Sequence, residues 1–388
     1  MNSADTTKQA SGFTLLELMV AMALGLLMLG AATQLFTSGM KTSALVSSRA
    51  NMQQDLRAAL NLVAKDVSMA GSGLPSGGIQ LPTNGGATPT LFGCNQSGTC
   101  YLPAYNYPTG TVGTAANPPI TPVSNKMFGI MPGFANGLQP PATSITATNR
   151  TPDSITSVYV DYGFPISQFT GALNPAGTVL TLIAPVPQPV TTPNATAPGV
   201  GIQVGDLLMV KTSNGIAVGE VSVVSPFATS GATVTFTNGD PLNFNQGGAA
   251  SNTMASIVPT PTVPPLPPPT VTAYRLLAIS YFVQIPTVGP SAGTPRLMRQ
   301  VNGNTAQPVA DNIVDMQFSY DMCDPSNVAA NCAVIRNPLA VNLSPNQIHK
   351  VNIQIMGQSL LINGKDAQSM QLSTAVSARN LTFVDRYQ

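Results

Sequence analysis

The stretch Gly12–Phe36, GFTLLELMVAMALGLLMLGAATQLF, decides how the rest of the chain is read. Only a short polar segment, MNSADTTKQAS, precedes it, and from Leu18 to Phe36 the one strongly polar side chain is Gln34. As a helix, the run has the length needed to cross a hydrocarbon core roughly 30 Å thick. Glu17 is the anomaly. A carboxylate at the edge of an apolar span costs a few kcal/mol unless a partner compensates it. Three plain readings compete: a secretory signal peptide with LGAA as its cleavage site, a simple membrane anchor, and a buried core helix. A signal peptide's apolar region is usually about 7–15 residues, shorter than this run. Neither a signal peptide nor a simple anchor gives Glu17 a reason to be there. Charge assigns no orientation, because Lys8 is offset by Asp5 and Lys41 lies just beyond the span.

The helical pattern outlasts the apolar run. Met52, Leu56, Ala59, Leu60, Val63, Val67 and Ala70 recur in steps of three and four and share one face. Gln53, Gln54, Asp55, Arg57, Asn61, Lys65 and Asp66 occupy the remainder. Gly71-Ser72-Gly73 and Pro75 supply the stop. One helix is therefore expected from about Phe13 to Ala70, apolar all round in its first half and one-sided in its second. No proline lies between Phe13 and Gly73. Gly25 and Gly30 loosen the helix instead, by about 1 kcal/mol each relative to Ala.

Beyond Gly73 the composition turns to Pro, Gly, Asn and Thr, with short alternating runs. Strands are expected at Ser154–Tyr162, Asp206–Thr212, Ile216–Val224, Thr272–Gln284, Arg296–Val301, Ile313–Tyr320, Lys350–Met356 and Ser373–Phe383. Asn214-Gly215 between the second and third of these is a hairpin signal, since that dipeptide suits tight turns with positive φ. Period-two strands imply an antiparallel sheet with one face covered. Residues 75–150 are weakly patterned and predict an irregular elaboration with short strands at most. Residues 259–269, PTPTVPPLPPP, hold seven prolines and predict a stiff polyproline II loop. The fold class is α+β, a long helix packed on an antiparallel sheet with large loop insertions.

Charged residues make up only 8% of the 388, net charge is +1, and no basic block occurs, which argues against nucleic acid. The four cysteines form two local pairs, Cys94 with Cys100 and Cys323 with Cys332. In an exported chain such pairs read as small disulfide staples. A four-thiolate metal site is the rival, although its usual spacing is tighter. Asp321 and Asp324 offer two carboxylates to a Ca²⁺ ion but lack the spacing of a known loop. Catalytic chemistry has little to stand on. His349 is the single histidine, and no nucleophile elbow accompanies it. No phosphate-binding G-x-x-x-x-G-K-[ST] occurs, and one histidine cannot make H-E-x-x-H. No enzyme, cofactor or small-molecule substrate is expected.

Gly12-Phe13-Thr14-Leu15-Leu16-Glu17 resembles the processing site of type IV prepilins, which carry a short polar leader, Gly, Phe, a Glu four residues on, and an apolar helix. The resemblance implies that a membrane peptidase cuts between Gly12 and Phe13, that the new amine of Phe13 is methylated, and that Glu17 pairs with the terminal amine of a neighbouring subunit. The body stretches QVGDLLMVKTSNGIAVGEVSVV, YRLLAISYFV, PRLMRQV, VADNIVDMQFSYD and SARNL, with QDLRAALNLVAKDVSMAGSG at the helix end, resemble the PilW-type minor pilins. Those proteins share features with the J-type minor pseudopilin of type II secretion. The implied organisation is a leader at 1–12, a transmembrane segment at 13–36, an amphipathic continuation at 37–73 and a β-rich domain at 74–388. The implied setting is the inner membrane with the C-terminal part periplasmic, then the pilus at the cell surface. The implied partners are other minor pilins, the filament and the prepilin peptidase. A secreted binding protein or adhesin with an ordinary signal peptide remains the rival of another class.

Overall fold

In a computed structural model the described residues are 12–82, 90, 104–106, 111–113, 126–135, 137–139, 150–185, 194–197, 200–227, 231–247, 251–260, 270–322, 333–336, 345–359, 368–378 and 380–381. All four cysteines, Asp324 and most of the proline-rich loop lie outside them. So do the leader before Gly12 and the end of the predicted last strand.

One α-helix runs Leu15–Met69, 55 residues, as the two successive periodicities require. The chain divides into two compact units. The first holds residues 1–52 with 359–368. Its part of the helix is exposed on every side up to residue 51, with only residues 45 and 48 half-covered.

The second unit holds residues 53–358 and 369–388. Within it Leu56, Ala59, Leu60, Val63, Val67 and Ala70 are all buried, as the stripe predicted. The helix ends on two residues with positive φ, Gly71 at +81° and Gly73 at +76°. A Cβ on Gly71 would lie 2.7 Å from the Leu381 side chain, so space as well as conformation requires glycine there. Ser72 N donates back to Met69 O and Leu74 N to Gly71 O. The chain then joins a strand, with Gly71 N donating to Val158 O and Val160 N to Ser72 O.

The body is antiparallel β, as the α+β class requires, and is distributed over several sheets. An eight-stranded sheet runs Gly215–Glu220, Leu207–Thr212, Thr272–Gln284, Arg296–Val301, Gln307–Asp311, with Ser154–Val160, Ile130–Gly133 and Leu138–Gln139 attached to its middle. Only the short Leu138–Gln139 pairs in parallel. A four-stranded sheet follows the order Val223–Phe227, Gly231–Thr235, Val179–Ile183, Thr170–Leu173. A second runs Ala333–Ile335, Ile313–Met322, Ile348–Gln358, Ser369–Ser377. Two small two-stranded sheets are the others among the described residues.

The large sheet is covered on both faces. Leu207 and Met209 join one core with Val158, Val160, Leu276 and Phe244. Leu208 and Val210, one residue out of phase, join another with Leu180, Leu182, Ala232 and Val234 of the first four-stranded sheet. Burial on both sides explains the unbroken apolar run LLMV, which one-sided alternation would not give.

Three expectations need correction. The predicted strand Ile216–Val224 is two strands in different sheets, broken at Val221-Ser222. The hairpin forms, but Thr212 pairs with Gly215, so Ser213-Asn214 make the turn and the positive φ falls on Gly215. The last strand is Ser369–Ser377, displaced toward the N-terminus from the predicted Ser373–Phe383. The short-strand elaboration predicted for residues 75–150 is present where that region is described.

Candidate functional site

Gly12, Phe13 and Thr14 precede the helix, and Phe13 is 88% exposed. Thr14 and Glu17 grip each other. Thr14 N and Thr14 Oγ1 donate to Glu17 Oε2 at 3.0 and 3.1 Å, and Glu17 N donates to Thr14 Oγ1 at 3.3 Å. This reciprocal arrangement is a capping box, in which an N-cap hydroxyl and an acid three residues on satisfy orphan amides of the first turn. Its signal in the sequence is the spacing Thr-x-x-Glu at Thr14-Leu15-Leu16-Glu17, which a reading centred on the apolar run passes over. It gives Glu17 a local task. The task occupies Oε2 alone, and among the described residues Oε1 has no hydrogen-bond partner.

From this cap the helix presents Leu15, Leu16, Leu18, Met19, Val20, Met22, Leu24 and their successors to the exterior, each more than half exposed. It is long and apolar enough to cross a membrane, and none of its most apolar stretch is buried. A water-exposed apolar surface of that extent is rare in soluble chains and marks a lipid or protein contact. The buried-core reading of this run is therefore excluded by its exposure.

A second constellation belongs to the body. Asp66, which the helical pattern placed on the polar side, is only 3% exposed. Tyr159 Oη donates to its Oδ1 at 3.2 Å, while Tyr281 Oη at 2.5 Å and Arg299 Nε at 2.9 Å donate to Oδ2. Arg299 Nε also lies 3.1 Å from Tyr281 Oη. Burial, and then the negative Asp66, push both phenols well above their ordinary range. The tyrosines therefore remain donors. The carboxylate is compensated by one cation and two hydroxyls, and it fixes the helix end to the strands Ser154–Val160, Thr272–Gln284 and Arg296–Val301. Its one sequence signal is that Asp66 adjoins Val67 of the buried stripe.

The other candidates disperse. Asp321 is taken up by Lys350 Nζ at 3.1 Å and Asn352 Nδ2 at 2.8 Å. No cluster of three or more His, Cys, Asp or Glu suited to a metal exists among the described residues. His349 is exposed, and its carbonyl accepts Ala378 N at 2.8 Å. The cysteine pairs lie outside the described residues.

Residues 7–33 match the family described as the prokaryotic N-terminal methylation motif. The matched interval contains Gly12, Phe13 and Glu17. No curated protein and no solved structure matches the chain. The α+β architecture is pilin-like: one long N-terminal helix followed by antiparallel sheets. The prepilin-type motif at the head of this architecture supports a pilin- or pseudopilin-like protein, and is compatible with a single-pass inner-membrane anchor and with processing by a prepilin peptidase.

Proposed function

We propose that this protein is a minor pilin of the PilW type, cut between Gly12 and Phe13, methylated on the Phe13 amine, and incorporated with other minor pilins into an initiating or tip complex of a type IV pilus. The observation that carries the reading is the register of Gly12, Phe13 and Glu17 at the start of an exposed apolar helix. Residues 13–36 anchor the subunit before assembly, residues 37–73 continue the helix, and the β-rich remainder stands in the periplasm and later on the filament. Cys94 with Cys100 and Cys323 with Cys332 form local disulfides there.

Cleavage places a new ammonium one residue before the Thr14 cap. In a low-dielectric bundle, a neighbour's ammonium and the Glu17 carboxylate compensate each other, whereas either alone is costly. Oε1 is the oxygen open to that bond. A minor pseudopilin of a type II secretion system, with the same processing and different partners, is the second reading. Co-purifying subunits separate the two.

Mass spectrometry of the intact mature chain tests the proposal. The expected mass is that of a chain beginning at methylated Phe13 with all four thiols oxidised. A mature chain starting near Ala32 or Thr33 overturns it in favour of ordinary secretion.

A further inference from the structure

The strand Ser369–Ser377, SMQLSTAVS, is an open edge. It pairs on one side with Ile348–Gln358 through nine consecutive residue pairs, and nothing pairs with it on the other side among the described residues. The phase of its ladder is fixed. Ala378 N donates to His349 O, so even-numbered residues direct their backbone groups inward. The N–H and C=O of Gln371, Ser373 and Ala375 therefore point outward.

Open edges are templates for strand addition, and proteins ordinarily blunt them with brevity, charge, proline or a cover. The other edge strands described here are six residues or shorter. Gln307–Asp311 adds Pro308, Asp311 and a bulge opposite Leu297-Met298. Val223–Phe227 contains Pro226. Gly215–Glu220 is covered by Asn245, which accepts from Glu220 N and donates to Glu220 O. The strand Ser369–Ser377 has nine residues and neither a charge nor a proline.

Its two faces differ. Met370, Leu372 and Val376 lie on the same face as the buried Ile355, Ile353 and Val351 of the neighbouring strand, yet remain half-exposed. An added strand with apolar residues in that phase would complete the covering of this face.

We infer that this edge receives an extended strand from a different prepilin-type subunit, resting on the pilin-like reading above. A second copy of this chain fits poorly. Antiparallel self-pairing needs a twofold axis normal to the sheet, which reverses every direction in its plane. The helix packed on that face, with Leu56 against Gly357, would be reversed too. The two helices could not then enter one membrane in the same sense. Parallel self-pairing, about an axis along the strands, would set the apolar face of one copy beside the polar face of the other. A strand from another subunit escapes both conflicts, and such a heterologous contact suits an open assembly.

The test is site-specific photocrosslinking of the full chain in assembling cells. The probe is Ser373→benzoylphenylalanine, and the control carries the same probe at Val288, which is exposed and lies away from this edge strand in the sequence. The expected product at 373 contains a chain with its own N-terminal methylation motif, identified by mass spectrometry. In a second arm Ser373→Pro removes an outward N–H, and Ala375→Lys adds a charge, both without touching the inward ladder. Each should reduce co-purification of that partner at least tenfold while leaving the thermal midpoint within a few degrees. A crosslink to a second copy, to a protein without the motif, or to nothing overturns the inference, as does unchanged co-purification by both variants. The mass of the mature chain is read in the same cells. If methyl-Phe13 is present while the crosslink fails, the edge proposal alone is lost.

Discussion

Glu17 has two tasks that point in different directions, one toward Thr14 and one toward a neighbour's terminus. Substitution separates them. Glu17→Gln keeps an acceptor for the capping box, since Gln serves at that position, and removes the charge. Glu17→Ala removes both. If charge pairing governs assembly, each variant enters the membrane normally and each is lost from filaments, which immunoblots of sheared filament and membrane fractions measure. Normal incorporation of Glu17→Gln would leave Glu17 with the capping role alone. Asp66 gives a sharper energetic test because it is buried together with its two tyrosine partners. Asp66→Ala leaves Arg299 and two tyrosine hydroxyls without their acceptor, and removing one side of such a pair costs about 3–5 kcal/mol. Denaturant titration of the purified chain should show a loss of that order, and Tyr281→Phe a smaller one of about 1–2 kcal/mol. A change below about 1 kcal/mol for Asp66→Ala would mean that the latch does not fix the helix end. The acid at position 17 is conspicuous in the sequence because its surroundings are apolar. Asp66 is not, because an acid among the polar residues of an amphipathic helix looks solvated until its strand partners are known.

The elements legible in the sequence are those with one dominant periodicity. The helix is read from an unbroken apolar run followed by a stripe of period 3.6, and its stop is written in Gly71 and Gly73. The strands Thr272–Gln284, Arg296–Val301, Ile313–Met322 and Ile348–Gln358 stand out because their patterns are long. Thr170–Leu173, Val179–Ile183 and Gly231–Thr235 do not. Each has five residues or fewer, TGAL and GATVT being largely Gly, Ala and Thr and VLTLI too short to show a period, and its place comes from pairing with other segments. The break at Val221-Ser222 is hidden because both daughter strands are apolar. The stop itself is testable. Gly71→Ala forces φ +81° on a residue with a Cβ and drives that atom toward Leu381. An unstrained Gly→Ala change stabilises by about 0.4–1 kcal/mol, and at a positive φ the change should instead destabilise by more than that. The midpoint of chemical unfolding reports it, and a variant as stable as the parent would show that the crossing at Gly71 can relax.

At the scale of the whole molecule, sparse charge makes the few buried acids decisive for how stability responds to pH. Burial, followed by the hydrogen bond that Glu220 donates to Asp240 and the proximity of that carboxylate, pushes the Glu220 carboxyl up to about 8. The oxygens of Asp240 also accept Phe244 N at 2.8 Å and Asn245 N at 2.7 Å. Glu220 therefore keeps its proton in the folded chain. Burial likewise raises Asp153 to about 6, against the two backbone amides and Arg336 that favour its charge. Asp206 and Asp315 are raised for the same first reason. The sign follows from linkage. Below the ordinary carboxyl range both folded and unfolded chains hold these protons, and the full stability is present. As pH rises above about 4.5 the unfolded chain releases the Glu220 proton while the folded chain retains it, so stability falls until the folded group titrates near 8. Asp153 contributes a parallel fall that ends near pH 6. The thermal midpoint should thus decline from pH 5 to pH 8, by an amount worth on the order of a few kcal/mol. Glu220→Gln replaces the protonated acid with a neutral amide and should flatten the curve between pH 6 and 8 while leaving the Asp153 segment in place. Scanning calorimetry of both chains across that range decides the matter: a midpoint that rises toward pH 8, or a variant with the parent's slope, would show that the Glu220 proton is not held in the fold.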